Sequence, residues 1–245
     1  MKRKGKEKMK IEKEQLMTKE KIYTTRCPVC GGNGNSVTMV RWDYYRFDTV
    51  KDWHYHHCAT CGTCFCDLFF RWSTVEWGTF VYNREYSLVD PGAGERVRKI
   101  FPVINGLLRE HAPDAKSLID YGGGNGDLAD MLKAAAYDAY CFDIHGRLDT
   151  CPDKADAVTA IEVLEHATAP HMLWGYLREV LNPGGLLMAT TETCDGIADI
   201  SAWFYANPRA GHAVIYSGKA LELMAERYHF RPVCQQGPLY VWRAE

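Results

Sequence analysis

Leu118-Ile119-Asp120-Tyr121-Gly122-Gly123-Gly124-Asn125-Gly126-Asp127 takes the chain from a short apolar run through a glycine turn and into a helical stretch. Glycines at 122, 124 and 126 permit positive φ and carry no Cβ. A flat or charged ligand can therefore approach the backbone at the helix N-terminus. The dinucleotide fingerprint G-x-G-x-x-G requires glycine at 127, where Asp127 stands, and an acid there repels a pyrophosphate. The chain also has no G-x-x-x-x-G-K-[ST] segment for a nucleoside triphosphate. The turn thus predicts a ligand without phosphate. Seventeen residues beyond Gly126, Tyr140-Cys141-Phe142-Asp143 ends the next strand on a carboxylate. An acid at that point is placed to accept both hydroxyls of a ribose lying over the turn.

Strand-like and helix-like segments alternate on either side of this turn. Val97, Ile100, Phe101, Ile104, Leu107 and Leu108 recur at helical spacing, with Pro102 predicting a kink. Lys116 to Tyr121 and Tyr137 to Asp143 read as strands, and Leu128, Met131, Leu132 and Ala135 as the face of the helix between them. Asp156 to Ile161 is a further apolar run, followed by a helix from Pro170 to about Leu181. Asn182-Pro183-Gly184-Gly185 breaks that helix before a strand from Leu186 to Thr191. Ser217 caps a helix to about Tyr228, and pieces near 231–235 and 238–243 close as a hairpin. The fold class is therefore α/β: a Rossmann-like, mostly parallel sheet with helices on both faces.

Ahead of this domain stand two knuckles, Cys27-Pro28-Val29-Cys30-Gly31 and Cys58-Ala59-Thr60-Cys61-Gly62. Two residues between cysteines let both sulfurs reach one ion at about 2.3 Å, and the following glycine allows the tight turn. Four thiolates from Cys27, Cys30, Cys58 and Cys61 make a closed tetrahedral Zn²⁺ site with no open position, which is a structural site. The segment between the knuckles is long enough for a hairpin. Cys64 competes as a ligand in Cys61-Gly62-Thr63-Cys64, but with Cys66 it reads better on the strand leaving the knuckle. His56 and His57 are further alternatives. No thioredoxin-like strand and helix surround either CxxC, so a dithiol catalyst is not indicated.

The 245 residues divide into a basic flexible tail (1–21), a zinc-ribbon-like, aromatic-rich module (22–90) and the α/β domain (91–245). The tail carries nine Lys/Arg against four Glu, whereas the whole chain has a net charge of −2, so the body is mildly acidic. That balance disfavours a nucleic-acid or membrane surface. No apolar run approaches a membrane span, and the lysine-rich N-terminus lacks the apolar core of a secretory signal. The expectation is a cytoplasmic protein whose ten cysteines are thiols or metal ligands. Thirteen of the aromatic residues fall within 42–82, the supplement that a small metal-organised module with little aliphatic core requires. The sequence sets no oligomeric state.

Asp120-Tyr121-Gly122-Gly123-Gly124-Asn125-Gly126, Asp143, Glu162-Val163-Leu164-Glu165-His166 and Leu181-Asn182-Pro183-Gly184-Gly185 together resemble the class I S-adenosylmethionine-dependent methyltransferases. The resemblance runs from residue 94 to about 245. The preceding knuckles look like the subset with an N-terminal zinc module, several of which act on sugars or other small metabolites. The resemblance implies that Gly122 and Gly124 contact the methionine moiety, with Gly126 completing the turn. It places Asp143 at the ribose, has Asp120 support the turn, and makes Ile161, Glu162 and Glu165 part of the cofactor wall. Only about a dozen residues separate Asp143 from Asp156, where the family has a helix and a third strand. That region is expected to shrink to a loop containing Asp149, Cys151 and Pro152, with Asp149 a weak candidate for the adenine side.

Methyl transfer from a sulfonium needs alignment of the acceptor and, for some acceptors, removal of a proton. Candidate bases on loops at the C-terminal strand ends are His166, His171, His212 and Glu192. The segment from Trp203 to Ser217 looks like the acceptor-side insertion of related enzymes. It nominates His212 as general base, with Tyr205 and Tyr216 shaping the pocket. Glu165 with His166 is a second pair, placed at a helix start where a carboxylate is also favoured by the dipole. The leading expectation is a methyltransferase acting on a small-molecule acceptor. The alternatives are an RNA-modifying enzyme holding nucleic acid through the module and tail, and a non-catalytic cofactor-binding scaffold. Mixed charges among the aromatics of 40–82 weaken the RNA case.

Overall fold

The computed structural model describes residues 26–42, 51–83 and 86–245. The basic tail lies outside the described residues. A six-stranded sheet organises the C-terminal part: β4 (Ser117–Tyr121), β5 (Asp138–Phe142), β6 (Ala155–Ile161), β7 (Leu181–Thr190), β9 (Phe230–Gln236) and β10 (Leu239–Ala244). The strand order is β5-β4-β6-β7-β10-β9. The first four strands are parallel, and β10 runs antiparallel to both β7 and β9. The order reverses at β4, so the crevice at its C-terminal end is the ligand position such sheets provide.

Helices α2 (Ala93–His111), α3 (Asp127–Ala134), α4 (Pro170–Glu179) and α5 (Gly218–Arg227) cover the sheet. The first contains Pro102 in its interior and buries Ile104, Leu107 and Leu108, the stripe read from the sequence. These residues join Leu118, Leu128, Leu132 and Val241 in one core. The opposite face packs Trp174 and Leu177 of α4 and Leu221 and Met224 of α5.

The chain closes its sheet differently from expectation at Asn182-Pro183-Gly184-Gly185. Leu181 already pairs with Ala155, the four residues bulge out, and pairing resumes at Leu186 with Ala157. Gly184 at φ +79 supplies the left-handed step that lets the strand rejoin. The strand therefore begins before the breaker instead of after it.

The N-terminal module is a ribbon of β1 (Gly34–Trp42), β2 (Lys51–Cys58) and β3 (Cys64–Cys66), followed by the short helix α1 (Thr74–Phe80). The helix α1 begins with a capping box between Ser73 and Glu76. Its sheet has a fourth strand that the sequence did not announce. β8 (Val214–Ile215), from the loop before α5, pairs with β3. The module is thereby stitched into the α/β domain, and one core holds Cys58, Cys61, Phe65 and Phe69 together with Trp174, Leu187 and Tyr216. Ser217 Oγ donates to the Cys61 carbonyl, Lys219 Nζ to that of Thr60 at 2.6 Å, and Cys194 Sγ to that of Gly62 at 3.1 Å.

Candidate active site

The sulfurs of Cys27 and Cys61 lie 3.5 Å apart, as do those of Cys30 and Cys58, and all four fall within 4.8 Å of one another. A tetrahedral ion with metal–sulfur bonds of about 2.3 Å needs sulfurs roughly 3.8 Å apart, so the set fits one Zn²⁺. Gly31 and Gly62 adopt φ +74 and +80 and turn the knuckles. Cys64 and Cys66 lie on β3 outside this cluster, and His56 faces Asp67 at 3.5 Å instead. Neither His56 nor His57 joins the four sulfurs.

At the glycine turn, Gly122, Gly124 and Gly126 all have positive φ. A Cβ on Gly122 would lie 2.5 Å from Val163 Cγ2, whereas one on Gly124 would meet nothing within 4 Å. The position beside Gly124 is open space. Asp143 borders it: Oδ2 accepts the Gly124 N–H at 2.8 Å and Oδ1 the His145 N–H at 2.7 Å. Two backbone donors fix the carboxylate while each oxygen keeps a lone pair for a further donor. Beneath the turn, Asp120 is buried and accepts from Thr159 Oγ1 at 2.7 Å through one oxygen, and its other oxygen has no partner. Burial raises its pKa to about 7 against the Thr159 hydrogen bond, with Asp143 adding repulsion.

The region after Asp143 is the expected loop, and it is latched down. Arg147 N–H donates to the Gly124 carbonyl at 2.8 Å, and Gly146 approaches so closely that a Cβ would sit 2.2 Å from that oxygen. The Arg147 guanidinium bonds Asp149 at 2.9 Å and Asp130 at 2.8 Å, and Asp149 accepts the Cys141 N–H. Asp149 thus anchors this loop to the edge strand.

On the other side of the crevice, β6 ends at Ile161 and Glu162 follows at φ +55. A left-handed non-glycine residue costs about 1–3 kcal/mol and persists where its surroundings hold it. Here Glu162 N–H donates to Thr190 O at 3.2 Å, and its carboxylate accepts from Thr190 Oγ1 at 2.8 Å. Leu164–His166 then forms a single 3-10 turn, well before α4 begins at Pro170. Glu165 and His166 consequently do not start a helix, and the dipole explanation for the acid does not apply. The Glu165 carboxylate is fully buried, with the Tyr205 and Thr191 hydroxyls as its polar neighbours. Burial, then the Glu162 charge, push its pKa well above the carboxylate range.

The loop before β8 delivers His212 against this turn, where Ala213 N–H donates to the Glu165 carbonyl at 2.8 Å. His166 Nδ1 contacts Gly211 O at 3.2 Å and His212 Nδ1 contacts Tyr205 O at 2.6 Å. A carbonyl only accepts, so each Nδ1 carries the proton and each Nε2 the lone pair. Burial lowers the pKa of His166 to about 4 and, with His166 adjacent, that of His212 to about 3. One donor atom from each of Glu165, His166 and His212 lies within 4.8 Å of the other two. The Tyr205 ring packs 4.1 Å from His212, and its hydroxyl lies 3.4 Å from Glu162 Oε2 and accepts the Glu192 N–H at 3.3 Å.

The structure therefore brings together Glu162, Glu165, His166, Tyr205 and His212 on one side and Asp120, Gly122, Gly124 and Asp143 on the other. Tyr216 is not among them. It is completely buried in the core shared with the module, its hydroxyl beside the Trp174 indole. His171 sits on α4 and contacts Tyr228 OH at 3.0 Å, away from the cluster. Two contributors went unread in the sequence. Tyr82, from the module, stacks on His145 at 4.4 Å and reaches His166 at 6.1 Å, so it bridges the two sides. Arg96 of α2, paired in two hydrogen bonds with Asp90, brings a positive charge that interacts with Glu162.

Residues 93–235 match the protein family described as a methyltransferase domain. The chain belongs to that family, the S-adenosylmethionine-dependent methyltransferases. Among solved structures, an O-methyltransferase family protein from Burkholderia thailandensis is 17% identical, with a TM-score of 0.52 over 69% of this chain and 62% of that one. DesVI from Streptomyces venezuelae is also 17% identical, with a TM-score of 0.52 over 65% of this chain and 97% of its own. The sugar N-methyltransferase KedS8 from a Streptoalloteichus species is 13% identical, with a TM-score of 0.50 over 65% and 92% respectively. The chain spans less than two thirds of the length of the Burkholderia protein and 57% of that of TnmH, another similar structure. At these identities the likeness is one of fold. No curated protein sequence matches the chain. No helix among the described residues is long and apolar enough to cross a membrane.

Proposed function

We propose that the protein transfers a methyl group from S-adenosylmethionine to a small-molecule acceptor, with a structural Zn²⁺ in the four-cysteine site. The observation that carries this reading is the pairing of the open, left-handed Gly124 with Asp143, held against it by two backbone donors. The cofactor supplies an electrophilic methyl on a sulfonium. Asp143 accepts from its ribose hydroxyls, Gly122 and Gly124 admit its methionine portion, and Ile161 to Glu165 wall the far side. The nearby carboxylates of Glu162 and Asp143 favour the sulfonium charge. The acceptor would meet His166 and His212, beside which Tyr82 and Tyr205 pack. His212 Nε2 is the group available to take its proton, as a neutral imidazole across physiological pH.

A small acceptor is supported by the burial of Phe69 and Trp77 in the core of the module. Those rings are unavailable for stacking on nucleic acid bases. Reduced thiols are needed to hold zinc, which favours a reducing compartment such as the cytoplasm. Thermal-shift screening of hydroxylated and amino-bearing metabolites with S-adenosylhomocysteine present tests the reading. An acceptor that raises Tm only with the spent cofactor bound supports it. Salt-sensitive RNA binding with no stabilising metabolite would contradict it.

A further inference from the structure

We propose that Glu165, His166 and His212 form a second metal site, a two-histidine, one-carboxylate seat for a divalent first-row transition-metal ion. Three independent features point to it. The first is the Glu165 carboxylate, fully enclosed beside the neutral hydroxyls of Tyr205 and Thr191 and paired with no Lys or Arg among the described residues. A buried acid without a charged partner is costly, and a cation is the partner that would neutralise it. The second is the shell behind the two rings. His166 and His212 each commit Nδ1–H to a backbone carbonyl, of Gly211 and Tyr205 respectively. Metal-bound histidines are oriented in this way, with Nε2 left as the electron-pair donor. The third is convergence. One nitrogen of each ring and one Glu165 oxygen lie within 4.8 Å of one another, and His166 Nε2 is 3.9 Å from Glu165 Oε1.

An ion bound at about 2.0–2.2 Å requires donors roughly 3–3.5 Å apart, so side-chain rotations of about 1 Å close the set. The backbone is already tied, because Ala213 N–H bonds the Glu165 carbonyl and joins the two segments that carry the ligands. Nitrogen and oxygen donors of this kind suit Zn²⁺, Fe²⁺ or Co²⁺ and are poor for Ca²⁺ or Mg²⁺.

The contrast with the cysteine site gives the ion its role. Four thiolates close a coordination sphere, whereas three protein ligands leave positions open. An acceptor hydroxyl bound there becomes more acidic. Its proton leaves to solvent, the methyl carbon bonds to the oxygen, and the sulfonium carbon–sulfur bond breaks with its electron pair kept by sulfur. The products are a methyl ether, a neutral thioether and one proton, with no oxidation or reduction. In the loaded enzyme His212 holds the ion and is not itself the base. This catalytic role rests on the methyl-transfer reading, but the ion site does not.

The test is metal analysis and Co²⁺ titration of the full chain purified with its cysteine site filled by zinc. We expect a second ion per chain that adds weak visible bands and no thiolate charge-transfer absorption. Its affinity should fall at least 100-fold in His166→Gln and in His212→Gln, and measurably in Glu165→Gln. Retained zinc in each variant reports that the fold is intact. Saturation of the wild-type chain at one ion overturns the proposal and leaves His212 as the base. An unchanged second ion in both histidine variants overturns it equally. If a variant loses its zinc, the wild-type stoichiometry and spectrum decide alone. S-adenosylmethionine calorimetry on the same samples separates the two readings. Cofactor binding without a second ion sinks only the metal site. A second ion without cofactor binding sinks only the methyl-transfer reading.

Discussion

The two walls of the crevice are built on different principles. The cofactor wall is made of backbone: three left-handed glycines, an acid fixed by two N–H groups, and a loop latched to a single carbonyl. All of it comes from one strand–turn–helix–strand unit. The acceptor wall is made of buried titratable side chains from segments far apart in sequence, namely Tyr82, Glu165 with His166, and Tyr205 with His212. It stands because the N-terminal module is packed beneath it, where Tyr55 OH donates to the His212 carbonyl at 3.0 Å. The difference teaches that one wall is locally encoded, whereas the other depends on how the module docks.

The most severe way to break this contrast is to remove the metal of the module. Cys27→Ser or Cys58→Ser should abolish stoichiometric zinc and lower stability by about 5 kcal/mol, a Tm drop of more than 10 °C. Because module and sheet share one core, the acceptor wall should fail with it. Near-UV circular dichroism and metal analysis together check this outcome. Two separate melting transitions, with the α/β domain unaffected, would show that the docking does not matter.

A milder substitution isolates the cofactor wall. Gly124→Ala puts a methyl group where no protein atom lies, at φ +57. The fold should lose only about 1 kcal/mol, while S-adenosylmethionine affinity falls at least 10-fold. Gly122→Ala, aimed at Val163 only 2.5 Å away, should damage stability as well as binding. Calorimetry paired with thermal melts separates the two effects.

Asp120 offers a pH test of the same wall. Its pKa rises on folding from an ordinary 3.8 to about 7, so the unfolded chain loses this proton first. The stabilising contribution is complete below pH 4 and is lost as pH climbs through 7. Asp120→Asn cannot ionise, and its Tm relative to wild type should rise by about 5 °C between pH 5 and pH 8. A gap that stays flat, or narrows, would mean Asp120 is ionised in the folded protein.

The smallest expected effect concerns the two tyrosines of the acceptor loop. Tyr216 is buried with its hydroxyl beside the Trp174 indole, so Tyr216→Phe should cost about 1 kcal/mol of stability and leave turnover intact. Tyr205→Phe, which removes a hydroxyl between Glu162 and Glu192, should reduce methyl transfer about 10-fold with little change in Tm. Equal activity in both variants would remove Tyr205 from the pocket.

What could be read in advance follows the same division. Glycine spacing, the acid at residue 143 and the paired CxxCG units are local patterns whose physics acts within a few residues. They led to the parallel sheet, the crevice and the sulfur cluster. His212 was legible only because it stands in an aromatic segment ahead of a helix cap. Its neighbours Glu165 and His166 are plain in the sequence, but a 3-10 turn of three residues carries no periodicity that sets it apart from a helix start. β8 is two residues long, too short for an alternation pattern, and its partner lies about 150 residues earlier. Without that pairing, nothing in the sequence could bring Tyr82 to His166 or bury Tyr216.

Titration calorimetry of S-adenosylmethionine into the wild-type chain and into Asp143→Ala tests the central claim most directly. The account predicts one cofactor per chain, bound about 10–100-fold more weakly when the carboxylate is removed. Undiminished affinity in the variant, or a wild-type chain that binds a nicotinamide dinucleotide in preference, would contradict it.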